Sequence, residues 1–267
     1  MRVRVMSFGM MRPRLARLFA PNLARVPCLC LLIEVGDELV LVDAGLGTQD
    51  IADPARLGFS NVLLNAQRDP ELTAVRQLKR LGREPEEVTH IICTHLDRDH
   101  AGGLSDFPNA LVHVHLDERE AAMKPPSKRE RERYRKCHFT YGPKWVTCET
   151  VSEGTWFGLD CIRELAGLPQ EIVLIPLPGH TRGHCGVAVQ ADEGWLLHCG
   201  DAYYMKYELE GDSPGPFDIR CFRRVAHIDH SMAVLQLGRL RQALKRGNGR
   251  IATIASHDRV EFEKLSG

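Results

Sequence analysis

No stretch of this chain approaches the roughly 20 consecutive apolar residues of a membrane-spanning helix, so a protein threaded through a bilayer by helices is excluded. The first residues, Met1-Arg2-Val3-Arg4-Val5, lack the uninterrupted apolar stretch of a secretory leader, and a cytoplasmic protein is expected. Net charge is missing too: 35 Lys and Arg offset 35 Asp and Glu, leaving no overall field that would gather nucleic acid. There is no CxxC pair, and the nine cysteines are an odd, scattered set, which fits reduced thiols better than a disulfide framework. What is present is ordinary for a soluble globular chain: 26% charged and 43% hydrophobic residues over 267 positions, enough to bury a large core.

Against that plain background one stretch stands out: Thr94-His95-Leu96-Asp97-Arg98-Asp99-His100-Ala101-Gly102-Gly103. It follows the apolar run Ile91-Ile92-Cys93, which reads as a buried strand, and it ends in glycines that permit a sharp turn. Two imidazoles and two carboxylates in so short a loop are the nitrogen and oxygen mixture that divalent metals take. Neighbouring side chains point different ways, so four ligands this close suit two ions side by side, each completed from elsewhere in the chain. The alternative is a charged surface turn.

The rest of the chain supplies the partners. Cys28 to Val35 and Glu38 to Val42 read as strands joined by Gly36-Asp37, a hairpin turn, and the second runs into Asp43. Glu71 to Leu81 has the apolar spacing of a one-sided helix, stopped by Gly82. Leu111 to His115 reads as a strand and Asp117 to Met123 as a helix. His113 and His115 imitate a metal motif, but they alternate within the strand and no glycine turn follows, so a structural role is expected. Gly154 to Gly158 reads as a tight hairpin. Ile172 to Leu177 is a strand ending in Pro178-Gly179-His180-Thr181-Arg182-Gly183-His184. Gly186 to Gln190 and Gly194 to Cys199 form a second hairpin ending in Gly200-Asp201-Ala202-Tyr203-Tyr204. Residues 211–216 read as a loop. Ser231 to Arg246 reads as a helix with Met232, Leu235, Leu240 and Leu244 inward. Ile251 to Ala255 is a last strand, followed by Ser256-His257-Asp258. Residues 12–25, rich in arginine, are expected to be a solvated arm, the alternative being a lid. The charge run 124–136 is expected to be solvated. The segment 137–145 reads equally as pocket lining or as a core plug. His198 is expected to pack, and His227 and His230 to be surface or capping residues.

Five apparent strands thus end in a candidate ligand or carboxylate beside a turn: Asp43, the 95–100 cluster, His180, Asp201 and His257. Sites collect at such strand ends because loops there are free to converge. This ordered set resembles the five motifs of the metallo-β-lactamase-fold superfamily, over nearly the whole chain. The resemblance implies a mixed α/β, four-layer αβ/βα sandwich in a single domain, 1–267, with two divalent ions at one edge. By position it implies that His95, Asp97 and His180 hold one ion, that Asp99, His100 and His257 hold the other, and that Asp201 bridges them. Asp43 matches the family's supporting carboxylate, and His184 a supporting histidine.

One position departs. Most of the superfamily has histidine where this chain has Asp97, and an anionic ligand shifts preference from zinc, the ion expected first, towards iron or manganese. The Gly200–Tyr204 run resembles the N-acyl homoserine lactonase-like branch, which implies Tyr204 as a donor to the substrate oxyanion; a core aromatic is the alternative. The expected activity is hydrolysis of a small lactone or ester by a hydroxide bridging two ions about 3.5–4 Å apart, with Asp99 also shuttling a proton. The alternatives are a di-iron redox or oxygen-handling protein, motivated by Asp97, and a phosphodiesterase using the same centre. The expected partner is a small-molecule substrate, with no nucleic acid and no membrane, and the branch resemblance implies a homodimer.

Overall fold

The apolar run Val26–Val35 is unbroken because each of its faces meets a different core. In a computed structural model, Leu29, Leu31 and Ile33 point into a core between two sheets, while Cys30 and Leu32 point into a core under helices. A strand covered on both faces has no need of polar alternation. The structure describes residues 1–14, 16–150, 154–191, 194–211 and 215–266.

The first sheet runs β1 (Arg2–Met11), β2 (Val26–Val35), β3 (Glu38–Val42), β4 (Val88–Ile92), β5 (Leu111–His115) and β6 (Lys144–Cys148) in spatial order. Its first three strands pair antiparallel and the rest parallel. A small hairpin follows, β7 (Thr155–Trp156) and β8 (Leu159–Asp160). The second sheet holds β9 (Ile172–Pro176), β10 (Cys185–Ala191), β11 (Gly194–His198) and β12 (Ile251–Ile254), in the order β12-β11-β10-β9. Between β1 and β2 lies α1 (Ala16–Phe19). Between β3 and β4 lie α2 (Thr48–Ala52), α3 (Asn61–Leu64) and α4 (Ala74–Arg80). After β4 comes α5 (Arg98–Ala101), and after β5 come α6 (Leu116–Met123) and α7 (Lys128–Arg133). After β11 come α8 (Tyr207–Glu210), α9 (Phe217–Ala226) and α10 (His230–Gly247), and α11 (Arg259–Ser266) ends the described chain.

Ala74 and Leu78 of α4 and Ala121 and Ala122 of α6 cover the outer face of the first sheet. Leu237, Leu240 and Ala243 of α10 cover the outer face of the second. The result is the expected four-layer αβ/βα sandwich. Among the described residues no helix is long and apolar enough to cross a membrane.

Several expectations are corrected. The inward face of α10 carries Ala233, Leu237, Leu240 and Ala243, whereas Met232 and Leu235 are exposed. The helix lies so close to the Pro178–His180 turn that a Cβ on Gly179 would stand 2.4 Å from the Ala233 amide, so small residues face inward. The charge run 124–136 is not a solvated segment throughout, because Glu130 and Tyr134 are buried and Glu130 accepts from Arg182 Nε at 2.7 Å. The 137–145 segment fills the helix-side core with Phe139, Tyr141 and Trp145. Of the loop expected at 211–216, residues 212–214 lie outside the described residues.

Candidate metal centre

The five strand ends converge. Thr94 leaves β4 with its amide on Asp43 Oδ1 at 2.8 Å and its hydroxyl on Asp43 Oδ2 at 2.7 Å. Asp43, at φ 60°, is held in the left-handed region by these bonds and by His100 Nδ1 at 2.8 Å. The single turn of α5 then separates the ligands: Asp97, its N-cap, faces one side while Asp99 and His100 face the other. Gly103 closes that turn, because a Cβ there would lie 2.3 Å from the Ala44 carbonyl oxygen. Gly200, at φ 54°, packs on the His184 ring and brings the Asp201 amide to His184 Nε2 at 2.9 Å.

Seven predicted ligands meet in three groups: His95, Asp97 and His180 form one, Asp99, His100 and His257 another, and His95, His100 and Asp201 form a third that overlaps both. His180 Nε2 stands 3.2 Å from Asp97 Oδ2 and 3.4 Å from Asp201 Oδ2, and His95 Nε2 stands 3.4 Å from Asp97 Oδ2. Across the centre, His257 Nε2 lies 3.4 Å from Asp99 Oδ2 and 3.3 Å from Asp201 Oδ2, and His100 Nε2 lies 3.4 Å from Asp201 Oδ1. Ligands about 2.0–2.1 Å from a tetrahedral zinc are separated by roughly 3.3–3.4 Å, so the spacings suit such an ion. His95 Nε2, His100 Nε2 and Asp201 Oδ1 are buried with no hydrogen-bond partner, which is a cost unless something binds there.

Each imidazole is oriented from behind. His257 Nδ1 meets the Pro27 carbonyl at 2.7 Å, and a carbonyl only accepts, so Nδ1 carries the hydrogen and Nε2 presents its lone pair. His95 Nδ1 meets the Thr94 hydroxyl at 2.9 Å. His184 is not in the centre; its Nδ1 donates to the Leu177 carbonyl at 2.9 Å and supports the loop. His198 packs as expected, with Nε2 2.9 Å from the Leu29 carbonyl.

The two groups differ in charge. Burial opposes protonation of His100 and His257, yet Asp201 beside both raises their pKa values, with Asp43 adding to His100 and Asp99 to His257. His180 goes the other way: burial and then the Arg133 guanidinium hold it neutral. Asp97 and Asp201 stay ionised despite burial, the first beside Arg133 and the second among His257, His180 and His100.

Arg133 was not foreseen. It closes α7 and reaches Asp97 with two bonds, Nε to Oδ1 at 2.7 Å and Nη2 to Oδ2 at 2.6 Å. Its Nη2 also lies 2.6 Å from His180 Nε2. The one sequence signal for it is Asp97 itself, since a buried extra carboxylate calls for a cation. His227 is a second correction. It is buried, not at the surface; it caps the C-terminus of α9, its amide donating to the Arg223 carbonyl at 3.0 Å, and its Nδ1 stands 3.1 Å from His180 Nδ1. His230 opens α10, but its cap is Asp229.

Tyr204 belongs to the centre. Its hydroxyl lies 3.2 Å from His180 Nδ1 and 3.5 Å from Asp201 Oδ2, and its ring stacks on His257 with 4° between planes. Burial and then Asp201 push the phenol pKa well up, keeping the hydroxyl a neutral donor. Above it opens a cavity of ≈ 480 Å³ with apolar walls, floored by Asp97, Asp99, His180, Asp201 and His257. The segment 12–25, of which residue 15 lies outside the described residues, is not a solvated arm throughout. Ala16 and Leu23 are buried, and Pro13, Phe19 and Ala20 join them in walling the cavity, because this segment's apolar residues pack against Leu57 and Ile219.

The family model for the metallo-beta-lactamase superfamily matches residues 23–220. A probable metallo-hydrolase of Mycobacterium tuberculosis is 40% identical over 232 residues, covering 86% of this chain and 74% of the relative. An N-acyl homoserine lactonase of Bacillus thuringiensis is 28% identical over 234 residues, 84% of this chain and 79% of the relative. A solved N-acyl homoserine lactone hydrolase, with the product N-hexanoyl-L-homoserine at its catalytic metal centre, shares the fold. Its TM-score is 0.74 at 23% identity, over 98% of this chain and 95% of that one.

Proposed function

The chain belongs to the metallo-beta-lactamase superfamily and is a metal-dependent hydrolase, and from that premise we propose that it opens a small lactone or cleaves a small ester bearing an apolar acyl part. The observation that carries the reading is the floor of the cavity, where the predicted ligands meet beneath apolar walls. The name of the Bacillus thuringiensis relative supports the lactone class. We assign His95, Asp97, His180 and Asp201 to one divalent ion and Asp99, His100, His257 and Asp201 to the other, with zinc expected first. Bound there, such ions lower the pKa of water and polarise a carbonyl oxygen.

The chain's own groups do the rest. Met11, Leu23, Leu64 and Phe222 line the cavity and hold the acyl part away from water. Tyr204 donates its hydroxyl hydrogen to the oxygen that becomes negative. Asp99, at the cavity floor, takes the proton that the attacking water loses and passes it to the oxygen released when the acyl C–O bond breaks. The di-iron reading rested on the extra charge of Asp97, and Arg133 offsets that charge. We read residues 1–267 as one domain, and the nine unpaired cysteines suit a reducing cytoplasm.

The test is elemental analysis of purified protein, followed by a panel of lactones, esters, thioesters and phosphodiesters before and after chelation. Lactone or ester turnover lost on chelation and restored by zinc is expected. Undiminished turnover in metal-free protein, or a preference for phosphodiesters, overturns the reading.

A further inference from the structure

Arg133 engages lone pairs that a metal ion would need. A guanidinium has only donors, so His180 Nε2, 2.6 Å from Arg133 Nη2, is the acceptor in that contact. Asp97 offers Oδ2 to the same nitrogen at 2.6 Å. The guanidinium is itself firmly held. Its Nη1 donates to the Ala226 carbonyl at 2.5 Å, and in the same helix Arg129 donates to the His227 carbonyl at 2.7 Å. Among the described residues the opposite half has no such cation: His100 Nε2 makes no hydrogen bond and stands 3.4 Å from Asp201 Oδ1, and His257 Nε2 faces Asp99 and Asp201.

We infer that Arg133 is a positioning residue that makes the two metal positions unequal: it aligns and neutralises Asp97 and competes with an ion for His180, so the Asp99–His100–His257 half fills first. The inference rests on the two-ion reading above. Filling of the His95 half requires the guanidinium N–H to leave His180 Nε2, and the incoming ion meets a fixed positive charge. A histidine in place of Asp97 would need no such cation, so the departure at position 97 and the presence of Arg133 are one device.

The test is titration of chelator-stripped protein with Co²⁺, read by visible absorption and by competition with a chromophoric chelator. The wild type is expected to bind one equivalent tightly and the second at least 100-fold more weakly, or not at all in the accessible range. Arg133→Gln should tighten the second step at least tenfold and leave the first unchanged. Arg133→Lys, which keeps a cation but loses the fork, should fall between and also serves if Arg133→Gln does not fold. Two equal equivalents in the wild type overturn the inference, as does a second step unmoved or weakened in the variants. Because the readout is metal binding, this outcome is separate from whether a lactone is turned over.

Discussion

Two histidine clusters lie on or beside β4 and β5, and they differ in everything but residue type. His90 and His113 sit within the strands, rings stacked 5.1 Å apart, with His90 Nδ1 2.8 Å from His113 Nε2. Neither ring has a carboxylate partner among the described contacts, and burial, then His90, pushes the His113 pKa down to about 4. His95 and His100 lie just past the end of β4, where the backbone has left the sheet and carboxylates from two other strand ends, Asp43 and Asp201, can reach them along with Asp97 of their own loop. Sheet register fixes a mid-strand ring against its neighbours. A strand-end ring is free to join groups from distant sequence, and that freedom separates a packed imidazole pair from a candidate metal centre.

The largest effect that sharpens this contrast is expected from Asp201→Ala, which removes the carboxylate shared by both groups. Metal content should fall and hydrolysis should drop by at least about 10³-fold, checked by elemental analysis and kcat/KM. Retention of two ions would break the comparison. Next comes Tyr204→Phe, which leaves the ring stacked on His257 but removes the hydroxyl near His180. It should lower kcat by about 100-fold with little change in KM or metal content. The mid-strand cluster should respond in stability alone. His113→Ala opens a core cavity and should cost about 2 kcal/mol by urea unfolding, with metal content and activity per folded molecule unchanged.

How much of this was legible follows from the same contrast. Asp43, His95, His180, Asp201 and His257 each close an apolar strand beside a turn, which is where loops can converge, and the family resemblance implied that they share one edge. The sandwich was legible only through the family resemblance, and the consecutive buried apolar residues of β2 and β10 fit it, because a sheet covered on both faces tolerates such runs. β1 was not read as a strand, and a register shift between Ser7 and Met10 interrupts its alternation. Arg133 and His227 were illegible because the first ends a helix and the second caps one, and tertiary packing decides where a helix end points. Arg133 sits in a run of charge with Arg131 and Lys136, which face solvent, and no spacing marks it out from them.

The smallest effect concerns pH and belongs to the mid-strand pair. His113 is held neutral in the fold, with its pKa near 4 against about 6.5 in an unfolded chain. Between those values the unfolded state binds more protons, so the stability that His113 contributes falls as the solution is acidified. From pH 7 to pH 5.5 the loss should be about 1 kcal/mol. Metal-ligand protonation also weakens the protein over this range, so the measurement is a difference: unfolding of wild type and His113→Ala at both pH values. The variant should lose about 1 kcal/mol less than the wild type on acidification. Equal losses would mean that His113 takes its proton in the fold as readily as in the unfolded chain, and a mid-strand imidazole that titrates freely would end the distinction between the two clusters.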